Sequence, residues 1–164
     1  MEMNGHQAAS SPRTNARVLV VADWTADPAT VVAACRRRAD HDASFILMVP
    51  AWLHGLDWVG DPSASAPCAH LQLVTLKQLC VAEGLAIEVS GVGDPDPITA
   101  IGDALVTHPA SEILLFARDR WAWAWNPLDL SHRAERISGL PVQRIPVRRS
   151  PGRGHCDAGA RWAA

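Results

Sequence analysis

The run RVLVVAD, from Arg17 to Asp23, is almost continuously aliphatic and β-branched and shows no polar alternation. A strand with one wet face alternates, so a run of this kind is buried on both faces, as strands of parallel sheets are. That constrains the chain more than any other feature, because a doubly buried strand needs helices on both sides of its sheet. The following residues supply the first of them. Asp27 reads as an N-cap and Pro28 as a first-turn residue of a helix to about Ala39, with Val31, Ala34 and Cys35 on its apolar face. SFILMVP, closed by Pro50, is a second strand. A long connection from Ala51 to Cys68 carries Trp52, Trp58 and a Pro/Ser/Ala stretch, a length more usual for functional than for merely connecting segments.

The pattern then repeats. LQLVTLKQLCVAEG is a second helix, with Leu73, Leu76, Leu79 and Cys80 at core spacing and Gly84 as its stop. AIEVSGVGD is a third strand, and Asp96-Pro97 opens a third helix whose stripe is Ile98, Ile101 and Leu105, ended by Pro109. SEILLFARD is a fourth strand, LDLSHRAERISG a short helix closed by Gly139, and LPVQRIPV a last strand. Strands alternating with helices through right-handed crossovers give an α/β fold, a doubly wound, Rossmann-like sheet of five parallel strands. The expected organisation is a disordered leader over 1–15, one α/β domain over 16–148 and a flexible Gly/Arg/Ala-rich tail over 149–164.

Composition removes several classes of function. A formal net charge of −2 with mixed signs gives no field that would gather nucleic acid or an anionic membrane. No apolar run approaches the ~20 residues that span a bilayer. The beginning, MEMNGHQAASSPRTNA, has no apolar core of the signal-peptide type, so the expected location is cytoplasmic. The four cysteines form no CxxC pair, and Cys68-Ala-His70 lacks the second spaced pair that zinc sites carry, so no metal is expected. GxSxG elbows, P-loops and HxGH-type nucleotidyl transferase signatures are absent, and no enzymatic activity is expected.

The loop between the fourth strand and the fourth helix, RWAWAWNP, is the most telling for ligands. A loop that cradles phosphate needs small residues, since its N–H groups must approach the anion and some must take positive φ. This one offers Arg118, Arg120, Trp121, Trp123 and Trp125 and no glycine. Asp129, at or near the helix N-cap, would satisfy the free N–H groups with its own carboxylate and repel a phosphate. Trp121, Trp123 and Trp125 alternate with Ala, so an extended loop would present all three rings on one side. They either cover the sheet edge or form a partner surface, for which Trp beside Arg is the usual composition. Ligands of open α/β sheets bind at the carboxyl ends of the strands, which makes Asp23, Gly91, Gly93, Arg118, Arg120 and Asp129 the candidate binding residues.

The order of the pieces resembles the universal stress protein family, within the adenine nucleotide alpha hydrolase-like folds. The resemblance rests on a first strand ending in Asp (VVAD), the elongated segment after strand two, G-V-G-D-P-D-P-I before helix three, and the closing I-S-G-L-P-V-Q-R-I-P-V. It implies a sheet of order 3-2-1-4-5, commonly dimeric through the last strand, here Val142, Arg144 and Ile145, with Pro146 suited to an edge. Members that bind ATP carry Gly, two residues, Gly, nine residues, then Gly and Ser or Thr after strand four. The corresponding positions here are Ala117, Arg120, Leu128 and Asp129, and Asp23 alone matches the family's nucleotide contacts. The implied function is a regulatory or interaction protein of the universal stress type, with a protein partner and without a cofactor, not binding ATP in the family manner. The alternative is a sensor of a nucleotide such as ATP or AMP, or of a small anion, at the strand ends.

Overall fold

A computed structural model describes residues 16–39, 43–52, 65–117 and 127–147. The elements are β1 (Ala16–Ala22), α1 (Pro28–Ala39), β2 (Ala43–Pro50), α2 (Ala66–Ala82), β3 (Ile87–Gly93), α3 (Pro97–Thr107), β4 (Glu112–Ala117), α4 (Pro127–Ser138) and β5 (Val142–Pro146). The strands form one parallel sheet of order β3-β2-β1-β4-β5, the expected topology. β1 is central, and its residues Val18 to Ala22 are buried throughout, as the unbroken aliphatic run required.

Registered residues of parallel strands point to the same face. Val20, Leu47 and Leu114 therefore share one face, and Val21, Met48 and Leu115 the other. Helices α1 and α2 pack side by side on the first face, α3 and α4 on the second. The two faces merge into one core with Phe45, Phe116, Leu19, Leu76 and Ile101 among its largest fully buried side chains. Among the described residues no helix is long and apolar enough to cross a membrane.

Two local expectations need correction. Helix α2 begins at Ala66, five residues before the expected LQLVTL segment, because Ser65 and Pro67 provide a helix start inside what reads as linker. Leu79 is 41% exposed, not core. The buried stripe of α2 is Ala69, Gln72, Leu73, Leu76 and Cys80, and Leu79 lies to its side near the helix end. Gly84 and Gly139 do close α2 and α4 in the left-handed conformation, with φ of 71° and 66°.

At the opposite end of the sheet from the strand carboxyl termini, a polar ladder ties three strands together. The register of β2 with β3 shifts between Phe45 and Ile46, leaving Glu88 as the extra residue between Ile87 and Val89. Its carboxylate accepts a hydrogen bond from the Ser44 hydroxyl. It also pairs with Arg17, at 2.9 Å from Nε and 2.7 Å from Nη2. The Ser44 hydrogen bond, then Arg17, hold the Glu88 carboxyl below its ordinary value of 4.5. A carboxylate whose folded value is depressed contributes stability above its unfolded value and loses it as pH falls through the folded one. The melting temperature of the wild-type protein is therefore expected to exceed that of Glu88→Gln near neutral pH, with the gap closing as pH drops below about 4. A gap independent of pH in thermal melts would contradict this role.

Candidate functional site

The site is built at the carboxyl ends of β1 and β4, where the strand order reverses. β2 lies to one side of β1 and β4 to the other, so the chain leaves these two neighbouring strands in opposite directions and opens a crevice between them. Ala22 registers with Phe116, and the Asp23 N–H donates to the Phe116 carbonyl at 3.0 Å. Asp23, expected as a binding residue, thus stands at the switch point, 1% exposed. Its Oδ1 accepts hydrogen bonds from the Thr25 N–H at 2.8 Å and the Thr25 hydroxyl at 3.1 Å, and its carbonyl accepts from the Ala26 N–H at 2.9 Å. The side chain thereby holds the turn out of β1, since a buried polar group must be hydrogen-bonded.

Bulky side chains occupy the ground beside it. The indole N–H of Trp24 donates to the Trp52 carbonyl at 2.7 Å, and the two residues are 8% and 6% exposed. Gln72 of α2, fully buried, donates its side-chain N–H to the Ala26 carbonyl at 2.8 Å. The Ala51 N–H donates to the Gly93 carbonyl at 3.1 Å. The ends of β1, β2 and β3 and the flank of α2 are in this way sewn into one rim.

In a parallel α/β sheet the helix N-termini open toward this same rim, and their unpaired N–H groups and dipoles are its natural anion sites. Here aspartates stand at two of them, while α2 starts at Ser65 without a side-chain cap. Asp27 Oδ2 accepts from the Thr30 N–H at 3.1 Å and its hydroxyl at 2.8 Å at the start of α1. Asp96 Oδ2 does the same for Thr99 of α3, at 3.2 and 2.9 Å, and Asp94 Oδ1 accepts from the Asp96 N–H at 2.7 Å. Asp129 is the third residue of α4, inside the first turn rather than at the cap. An incoming phosphate meets a carboxylate at the start of α1 and of α3.

Of the two candidate glycines, Gly93 joins the rim through its carbonyl, and Gly91 lies two residues back along β3. Gly91 lies within β3, registered with Met48, and a Cβ there would meet nothing within 4 Å. Gly93 ends β3, where a Cβ would lie 2.8 Å from the Ala100 Cβ and 2.9 Å from the Met48 sulfur. Its missing side chain lets α3 settle on the sheet. Both glycines sit on the edge strand, with β2 between them and β1, which puts them roughly 10 Å from Asp23's strand. Arg118, Arg120, Trp121, Trp123 and Trp125 lie outside the described residues. Val142, Arg144 and Ile145 lie on β5, the edge strand next to β4.

Trp24, Thr25 and Gln72 escape a reading of the sequence alone. Gln72 did leave a trace, a polar residue inside the apolar stripe of α2. The Trp24 to Trp52 bond joins residues 28 apart through two elements, and no spacing rule announces it.

No family model matches the chain, and no curated protein matches it. Solved structures do. A universal stress protein in complex with cAMP superposes with a TM-score of 0.53 at 15% identity, covering 82% of this chain and 98% of its own. A universal stress family protein from Burkholderia pseudomallei gives 0.57 at 19%, covering 80% and 96%. A universal stress protein from Archaeoglobus fulgidus gives 0.55 at 18%, covering 79% and 93%. At these identities the likeness is one of architecture, and this chain has the universal stress protein fold.

Proposed function

We propose that the chain is a cytoplasmic, nonenzymatic regulatory protein of the universal stress type that works through protein contacts and does not bind ATP in the family manner. The observation that carries this reading is the capping of α1 and α3 by Asp27 and Asp96, together with Ala117, Arg120, Leu128 and Asp129 at the positions of the family's phosphate-binding residues. Trp24 and Trp52 bury the ends of β1 and β2 beside Asp23. Protein purified from cells and denatured in acid is expected to release no stoichiometric adenine nucleotide on chromatography; one equivalent per chain would overturn the reading.

The cAMP held by one structural neighbour favours a second reading, in which Asp23 and the strand ends sense a nucleotide or small anion. Under it, cAMP or AMP binds with a measurable heat that Asp23→Ala abolishes.

The assembly we propose is a homodimer formed along β5. The strand is an edge, and an unpaired edge is a template for another strand. Light scattering at micromolar concentration is expected to give about twice the 17.6 kDa of one chain. A monomeric mass would contradict this assembly.

A further inference from the structure

Away from the strand ends, two thiols meet between α1 and α2. Cys35 and Cys80 are free and fully buried. They lie on the facing sides of the two packed helices, near enough for each thiol to perturb the other. A second contact fixes the same pair of helix ends side by side: Arg36, next to Cys35, reaches Glu83, just past Cys80, with Nη1 and Oε2 3.1 Å apart. The Leu85 N–H donates to the Cys80 carbonyl at 3.0 Å and holds that turn in place. Among the described residues no group of three metal-ligating side chains forms, so the pair has no third ligand for zinc there.

The two thiols are not equivalent. The neighbouring Cys80, and then burial, push the Cys35 thiol up, and the neighbouring Cys35 holds the Cys80 thiol below its ordinary value. Cys80 is therefore the sulfur more readily present as thiolate, the form that attacks an oxidant.

We propose that Cys35 and Cys80 are a reversible dithiol–disulfide site that staples α1 to α2 in response to a peroxide. The Cys80 thiolate attacks one peroxide oxygen, the O–O bond breaks, and the departing hydroxide takes up a proton to leave as water. The sulfenic acid on Cys80 is then attacked by the Cys35 sulfur, the S–O bond breaks, and a second water leaves with the Cys35 proton. The two thiols give up two electrons, and hydrogen peroxide is reduced to two waters. Both sulfurs lie below the surface, so the oxidant enters by local opening of the end of α2, where Val81, Glu83 and Gly84 are exposed. The staple closes a loop that contains all of β2 and restrains the unfolded chain.

The test uses the full chain, reduced and then exposed to hydrogen peroxide, alkylated in denaturant and digested with trypsin. Cleavage after Arg36 and Lys77 leaves Cys35 and Cys80 on separate peptides, and Cys68 on a third. The expected product is a Cys35–Cys80 linked peptide in place of the two alkylated ones, restored to them by a dithiol reductant. The oxidised protein is also expected to melt at a higher temperature than the reduced one, a difference lost in Cys35→Ala. Recovery of both thiols fully alkylated after peroxide, separate sulfinic acids, or a link to a different cysteine would each overturn the proposal, and the peptide map needs no variant to fold.

Discussion

Phe116→Ala is expected to lower the stability of the domain by about 3–5 kcal/mol, the range for removing a fully buried aromatic ring from a core. Phe116 is 0% exposed, registers with Ala22 on one side and Ile145 on the other, and its carbonyl receives the Asp23 N–H. The cavity would open beneath the switch point, so the loss combines a missing transfer contribution with a void at the junction of three strands. Urea unfolding measures it as a fall in midpoint at unchanged slope. A loss under about 1 kcal/mol would mean that the ring is not packed as described.

The second large effect separates packing from ligand binding at β3. Gly93→Ala is expected to cost about 1–3 kcal/mol, because the added methyl must displace backbone-anchored Ala100 or the Met48 thioether. Gly91→Ala, two residues earlier with open space around its Cα, is expected to stay within about 0.5 kcal/mol of wild type. Equal and small effects at both positions, seen in paired denaturation curves, would remove the packing role given to Gly93.

How far the sequence could be read depended on how local each cause is. RVLVVAD declares a doubly buried strand from seven adjacent residues, and the caps Asp27-Pro28 and Asp96-Pro97 declare helix starts within one turn. Both caps form the expected hydrogen bonds, to Thr30 and Thr99. The strand order follows from the alternation together with the resemblance, and it is the order observed. The exposed Leu79 was not legible, because helical spacing fixes the direction of an apolar stripe but not which flank its neighbours cover. The beginning of α2 was hidden for a different reason: Ser and Pro signal a helix start as readily as a linker.

The strand-end rim was half legible. The place of Asp23 at the switch point was legible because it ends the central strand. That its carboxylate would be engaged by Thr25, two residues on, follows from Asx-turn chemistry that a sequence permits but does not require. The filling by Trp24, Trp52 and Gln72 joins β1, β2 and α2, and such contacts arise only after the sheet has brought distant segments together. Of the candidate phosphate contacts Gly91 and Gly93, the sequence could not tell that one has open space around it and that the other seats α3.

The most direct measurement is an isothermal titration of the purified protein with ATP and magnesium. The carboxylates of Asp27 and Asp96 at the helix starts, and the absence of phosphate-binding glycines, predict no saturable heat up to millimolar nucleotide. A saturable isotherm with a micromolar dissociation constant and one site per chain would contradict the account.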